Sequence, residues 1–363
     1  MTPKPPIARA ALAVAAFALL AGCASTAIDD NIAAARADAK TLAGLDVAWL
    51  RSDAARAQAN ADVAQALRRP LSQDDAVRVA LSHSPALQAL LFERAAASAD
   101  ATQSARLPNP VFAFERLAGG GATELTRALT VPLIDLLSLP ARARQADAAQ
   151  QRLRVQLTAD VLRTAGSART AWVDAVAAGQ SARYAAQVHD AAEAAGALAR
   201  KLEDAGSFSA LQRAREEAFS ELALFDLARA RRAQRSAHEA LVRTLGLDAA
   251  EAAALTLPEQ LPDLPRSAPP LQAALDQRLD LRLARARLDE LASAQGLTRV
   301  SGVVDGLALG AERRTQTGQP REHGVTLSVP LPLFDSRDAA RAGAQARYAA
   351  ALAQAAALAV AAG

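Results

Sequence analysis

Aromatic side chains are scarce in this sequence, although apolar residues are not. Phe, Trp and Tyr make up 3% of the 363 residues, whereas hydrophobic residues make up 51%, most of them Ala, Leu and Val. Ala has the highest helix propensity and a small contact surface, so this composition favours long, closely spaced helices over a thick core. Acidic and basic residues are interspersed, and the net charge is only +3. A nucleic-acid-binding surface, which needs a basic stripe with aromatic residues, is therefore not predicted.

Residues for catalysis and metal binding are also few. Cys23 is the only cysteine, which excludes disulfides and thiolate metal sites from the mature chain. The four histidines form neither an HExxH motif nor a pair four residues apart; they are His83, His189, His238 and His323. No GxSxG, Walker or GxGxxG motif lies between a strand and a helix. The sequence thus predicts a protein that is not an enzyme, with no catalytic, cofactor-binding or metal-binding residues.

The first 22 residues have the three parts of a secretory signal. Lys4 and Arg9 form a basic start, residues 10–20 form an apolar stretch, and the small residues Ala21 and Gly22 follow. The apolar stretch is well short of the roughly 20 residues that a membrane-spanning helix needs. Residues 1–22 are therefore predicted to be a signal peptide.

Cys23 follows this signal directly. The run Leu20-Ala21-Gly22-Cys23 resembles a bacterial lipobox, in which the cysteine is acylated and becomes the mature N-terminus. Cys23 is accordingly the predicted lipidation site, and residues 23–70 are predicted to be a lipid-anchored helical leader. The alternative is a buried free cysteine. Ala24, rather than Asp, follows the cysteine, which by analogy with other bacterial lipoproteins implies sorting to the outer membrane.

The rest of the chain contains an internal repeat. The run from Leu129 to Leu133, LTVPL, matches LSVPL from Leu327 to Leu331, 198 residues later. A helix pair, two strand-like runs and another helix follow one another in both copies, which indicates a tandem duplication. The predicted boundaries are 71–256 for the first copy, 257–270 for a Pro-rich linker, and 271–363 for a second, incomplete copy.

Several helix ends in both copies have capping residues. Ser72 is predicted to cap the short helix that opens the first copy, and Gly246 to cap the end of its last long helix. In the second copy a short helix is predicted at about 271–278, and Asp335 or Ser336 is predicted to cap the helix after the strands.

The strand-like runs alternate between apolar and polar residues. In the first copy they cover residues 111–117 and 124–133, and in the second 299–312 and 322–331. Val325 and Leu327 face one way, while Gly324, Thr326 and Ser328 face the other. This period of two is what a membrane wall requires, but a half-buried hairpin in water gives the same pattern. Two hairpins are too few to close a barrel, so several subunits would have to combine their strands.

The segment between the two copies of the hairpin predicts a very long helical hairpin. From about Asp135 to Ala205 one helix face is small or apolar, which at about 1.5 Å per residue gives a helix of roughly 100 Å. Gly206 interrupts it, and a shorter return helix ends near Leu245. Because the two helices differ in length, a break is predicted in the first of them, near Gly166 or Gly179. The members of the face are Leu153, Leu157, Val161, Ala165, Ala168, Trp172 and Val176.

Together these segments resemble the TolC-like outer-membrane factors over roughly residues 70–350. The resemblance depends on the order and spacing of several runs together. They are Asp75 to Leu87 with its Ser-Pro step, Leu107-Pro108-Asn109-Pro110, the two Val-Pro-Leu strand ends, the Ala205 to Ser209 turn, and Leu245-Gly246-Leu247 before the Pro-rich linker. It implies a mainly α fold with two β-hairpins. Each subunit of a homotrimer would give four strands to a shared β-barrel and its helices to a long α-helical barrel.

The resemblance also implies a function and partners. The chain would be the exit duct of a tripartite efflux system (RND-type or related) that passes small toxic solutes, metal ions or drugs, out of the periplasm. The partners would be a periplasmic adaptor protein and an inner-membrane pump, with the duct lipid-anchored in the outer membrane and extending into the periplasm. The implied adaptor contacts lie at the hairpin tip, at Asp204, Gly206, Ser207, Phe208 and Ser209.

Two alternatives stay open at this point. A lipoprotein coiled-coil scaffold or envelope tether without a pore would keep the anchor and the helices, but it would have no use for two matched hairpins. Asp204 is either a solvated charge or a member of an ionic contact that holds the duct closed.

The second copy of the repeat has a shorter last helix than the first copy. By the logic of the repeat, the chain is therefore expected to be C-terminally truncated.

Overall fold

The computed structural model describes residues 23–263, 278–301, 306–331 and 337–360. Several predictions from the sequence lie outside these residues. They are the signal peptide at 1–22, the second half of the Pro-rich linker, nearly all of a short helix predicted at 271–278, and a helix cap predicted at Asp335 or Ser336.

Helices account for most of the described chain, and four strands form its two hairpins. The prediction of a mainly α fold with two β-hairpins is therefore confirmed. The helices are α1 Cys23–Ala43, α2 Asp53–Ala66, α3 Gln73–His83, α4 Pro85–Ser104, α5 Leu133–Leu137, α6 Leu139–Asp204, α7 Ala210–Leu245, α8 Ala249–Ala254, α9 Leu279–Ser301 and α10 Asp338–Val360. The strands are β1 Val111–Gly119, β2 Ala122–Pro132, β3 Ala308–Gln316 and β4 Glu322–Ser328.

Helix α3 begins with the cap that the sequence predicts. The Ser72 hydroxyl accepts the Asp75 backbone N–H at 3.1 Å and donates to the Asp75 carboxylate at 2.7 Å. Burial raises the pKa of Asp75, but the hydrogen bond from Ser72 and the nearby Arg78 and Arg69 outweigh it, so that the pKa lies below its ordinary value. The stability that this carboxylate contributes is present above its ordinary pKa and is lost as the pH falls through the lowered value.

Helix α6 runs for 66 residues without a break. The predicted interruption near Gly166 or Gly179 is therefore wrong: a single glycine costs a helix only about 1 kcal/mol, and Trp172 and its neighbours on the same face are buried. The predicted start near Asp135 is also corrected. Pro140 has no N–H to donate to the carbonyl four residues earlier, so α5 ends at Leu137 and α6 begins anew at Leu139.

The four strands form one antiparallel sheet in the order β1-β2-β3-β4. The turn between β1 and β2 consists of Gly120 and Gly121, whose φ values of +59° and +81° suit the two central positions of a tight hairpin turn. The hydrogen-bonded register places Phe112 opposite Leu129, Leu129 opposite Ala311, and Ala311 opposite Val325.

The second hairpin is shorter than the sequence predicts. The start of the run predicted at 299–312 is helical instead, because α9 continues to Ser301, and β3 begins only at Ala308. The strand predicted at 322–331 ends at Ser328. Pro330 cannot donate a hydrogen bond to a neighbouring strand, so the ladder stops before it.

The chain divides into two compact units. Of the described residues, the first unit contains 23–35, 94–157, 278–301, 306–331 and 337–360, and with them the sheet. The second contains residues 36–93 and 158–263. Its core includes a buried hydrogen bond of 2.7 Å from the Trp172 indole to the Leu71 carbonyl, and Leu71 in turn donates its N–H to Thr256. Within the described segments, no helix is both long and apolar enough to cross a membrane.

Candidate transport site

The sheet has two chemically different faces. Successive side chains of a strand point to opposite faces, and directly paired residues share a face, so the register assigns each side chain. The prediction that Val325 and Leu327 face away from Gly324, Thr326 and Ser328 is confirmed. We call one side the apolar face; it carries Phe112, Phe114, Leu125, Leu129, Val131, Leu309, Ala311, Val325 and Leu327. The other is the polar face; it carries Glu115, Glu124, Thr126, Thr130, Glu312, Arg314, Glu322 and Thr326.

Charged groups on the polar face pair with one another. The Arg314 guanidinium lies 2.9 Å from Glu124 on β2 and 3.3 Å from Glu312 on its own strand. On the apolar face, Phe112, Phe114, Val325 and Leu327 are all exposed in the single chain. A sheet that presents large apolar groups on one side and carboxylates on the other is suited to separating lipid from water.

The turn between α6 and α7 brings all the predicted tip residues together. Gly206 adopts φ +75°, and the N–H groups of Ser207 and Phe208 donate to the Leu202 carbonyl at 2.7 and 3.1 Å, which ends α6. Ser209 then caps α7 by a reciprocal pair of hydrogen bonds with Gln212, at 2.8 and 3.3 Å. Four of the predicted tip residues therefore have a backbone role in reversing the chain: Gly206, Ser207, Phe208 and Ser209.

Salt bridges hold the two arms together next to this turn. Arg213 on α7 pairs with Glu203 on α6 and, at 2.8 Å, with Glu217; Arg200 on α6 lies 3.3 Å from Glu217. The hydrogen bond between Arg213 and Glu217 is the main cause of a raised pKa of Arg213 and a lowered pKa of Glu217. Asp204 stands outside this network and is exposed, with no ion-pair partner in the described part of the chain.

The first part of helix α1 is fixed to the first unit by a polar cluster that the sequence gives no sign of. The Asn31 amide donates to the Ser98 hydroxyl at 3.1 Å and to the Gln150 side chain. Gln150 in turn donates to the Ser98 carbonyl at 2.8 Å and to the Thr102 hydroxyl at 3.1 Å. Because α1 begins at Cys23, only about two helical turns separate the predicted lipid attachment point from this clamp.

No group of three or more histidine, cysteine, aspartate or glutamate side chains in the described ranges is arranged to hold a metal ion. The features that combine here are structural: a two-faced sheet built from two hairpins, and a long helical hairpin ending in a tight turn. That combination is the fold of TolC-like outer-membrane channels, and the fold that the sequence resemblance predicts is confirmed.

Three solved structures illustrate the likeness. A membrane protein from Pseudomonas aeruginosa is 22% identical, with 78% of this chain and 72% of that chain covered and a TM-score of 0.59. The outer membrane protein VceC from Vibrio cholerae is 18% identical, with 79% and 75% covered and a TM-score of 0.62. The CmeC outer membrane channel from Campylobacter jejuni is 15% identical, with 79% and 67% covered and a TM-score of 0.65. The chain matches no model of a protein family and no curated protein.

Proposed function

We propose that this chain is a subunit of an outer-membrane exit duct in a tripartite efflux system. The observation that carries the proposal is the four-stranded sheet, whose apolar face suits lipid and whose polar face suits a water-filled passage. The long hairpin of α6 and α7 suits a duct wall in the periplasm. The likeness in fold to VceC and CmeC, which are an outer membrane protein and an outer membrane channel, supports this assignment.

The proposed assembly is a homotrimer. Strands β1 and β4 are the edges of the sheet, and an unpaired strand edge cannot lie in lipid because its backbone groups would lack hydrogen bonds. Pairing β1 of one subunit with β4 of the next removes these edges. Three subunits would supply twelve strands, which is enough for a closed wall around a passage.

Lipid anchoring at Cys23 completes the proposed membrane attachment. In this proposal residues 1–22 are removed and residues 23–70 form the anchored leader. Residues 71–256, 257–270 and 271–363 then form the two copies of the repeat and their linker. The proposed cargo is small toxic solutes of the periplasm, either metal ions or amphipathic drugs, and the inner-membrane pump selects among them.

The duct proposal is tested by conductance of the purified full-length protein in planar bilayers, together with a matched pair of substitutions. We expect the wild type to give stepwise currents. Val325 lies on the apolar face and its neighbour Thr326 on the polar face. Val325→Arg should therefore impair membrane insertion, by about 2–4 kcal/mol near mid-membrane. Thr326→Arg should still insert but should change the conductance. Absence of any current from folded wild type would favour the alternative of an envelope tether.

The hairpin turn is the proposed contact with the periplasmic adaptor. Asp204, Ser207 and Ser209 are exposed there, and the backbone N–H groups of Ser207 and Ser209 are held by the hydrogen bonds described above. Cysteines introduced at Ser207 or Ser209 are expected to crosslink to a cognate adaptor when a short bifunctional reagent is added, in a background that keeps Cys23. A cysteine at Gly120, in the turn of the first β-hairpin, is the control. Crosslinking from position 120 alone would reverse the proposed orientation.

A further inference from the structure

Four basic side chains lie together on the apolar face of the sheet. Arg127 on β2 is directly opposite Arg313 on β3, and Arg313 is directly opposite His323 on β4. Arg116 on β1 lies on the same face, two residues from Phe114, which is the partner of Arg127. The three arginines carry the positive charge of this group, and we call the four residues together the cationic row.

The charges of the sheet are divided between its faces. The polar face carries all four glutamates of the described strands: Glu115, Glu124, Glu312 and Glu322. Arg314 is the only arginine of these strands on that face. The apolar face carries three arginines and no carboxylate in these strands. Within the described strands, the cationic row therefore has no carboxylate on its own side.

This arrangement is unfavourable in the isolated chain. Like charges directly opposite each other across two strands repel, as Arg127 and Arg313 do. In addition, the Nε atom of Arg313 is shielded from water and has no hydrogen-bond partner. A donor that is neither hydrated nor paired costs free energy and adds to this repulsion. The Arg127 side chain is exposed, so a negatively charged acceptor from outside the chain can reach it and offset the repulsion.

The position of the row identifies that acceptor. Arg313 is three residues from the end of β3 at Gln316, so the row lies towards the turns, whereas Leu129, Leu309 and Leu327 lie towards the helices. In the proposed duct the helices are periplasmic, which places the row on the lipid side at the level of the outer leaflet's headgroups. Guanidinium groups match phosphate oxygens in charge and geometry.

We propose that the cationic row binds the phosphate groups of an outer-leaflet lipid. The inference rests on the proposed function, because only a sheet in the outer membrane turns this face towards lipid. The ligand class is a phosphorylated glycolipid, and one such contact would occur in each subunit around the trimer.

The test measures binding of a fluorescent lipid A, which carries two phosphates, to the purified full-length protein in neutral detergent. The double variant Arg127→Gln/Arg313→Gln is expected to bind at least about tenfold more weakly. Arg127→Lys/Arg313→Lys, which keeps the charges, should recover part of the affinity. Arg314→Gln, next to Arg313 but on the polar face, is the matched control and should bind within about twofold of wild type.

Three results would overturn the proposal: equal affinity of wild type and the Gln double variant, equal binding of fully dephosphorylated lipid A, or displacement of the lipid by inorganic phosphate at the same concentration. The last result would mean a site for free anions.

A second measurement separates this proposal from the proposed function. Conductance of the same proteins is recorded in phosphatidylcholine bilayers, which lack lipid A. Lipid binding without conductance would contradict the duct alone, and conductance without phosphate-dependent binding would contradict the lipid contact alone.

Discussion

Replacing Gly246 with alanine is expected to lower the free energy of unfolding by roughly 2–5 kcal/mol. Gly246 ends α7 in the left-handed conformation, φ +74°, which costs a residue with a Cβ about 1–2 kcal/mol. An added Cβ would also lie 2.4 Å from Cδ of Pro85 and 3.1 Å from Cα of Ser84, and such overpacking adds typically about 1–3 kcal/mol. Chemical denaturation followed by circular dichroism measures the loss.

Gly206→Ala is the matched control for this prediction. Gly206 has nearly the same backbone conformation, φ +75°, but no atom outside its immediate neighbours lies within 4 Å of an added Cβ. Only the conformational cost of about 1–2 kcal/mol should appear. If both variants lose the same stability, the contact between Gly246 and Pro85 is not the cause.

Replacing Cys23 with serine is expected to abolish incorporation of labelled palmitate completely, because the acyl chains of the proposed anchor require the cysteine thiol. The melting temperature should not change, since the clamp formed by Asn31, Ser98 and Gln150 lies beyond the anchor and keeps its hydrogen bonds. Labelling is measured in whole cells, and the melting temperature on purified protein.

Ala24→Ser serves as the control for the anchor prediction, since it changes the adjacent residue and keeps the thiol. It should label as well as wild type. If Cys23→Ser incorporates as much palmitate as wild type, Cys23 is not the acylated residue.

Helix caps and the faces of a strand depend on short stretches of sequence, and these features were predictable. Gly246 follows the last apolar residue of its helix and was expected to cap it, and the cap at Ser72 likewise follows from local spacing. Alternation along residues 324–328 was enough to assign the two faces of β4. Such features depend on neighbours within four residues, which is the range that a periodic pattern reports.

Features that depend on distant pairing were not predictable. Asn31 meets Ser98 and Gln150, which are 67 and 119 residues away, and Trp172 meets Leu71 at a separation of 101 residues. The pairing of Arg127 with Arg313 became visible only when the register of β2 and β3 was known, because their separation in sequence carries no sign of it. The end of α9 was misjudged for a related reason: Val300 favours a strand locally, but the helix before it continues to Ser301.

The turns of the two β-hairpins are short, with Gly120 and Gly121 in the first and residues 317–321 in the second. In the proposed orientation these few residues are all that the described strands place outside the cell. Antibodies and bacteriophages that recognise bacterial surface proteins would find little of this subunit to bind. The surrounding glycolipid, rather than the protein, would then form most of the surface presented at the mouth of the duct.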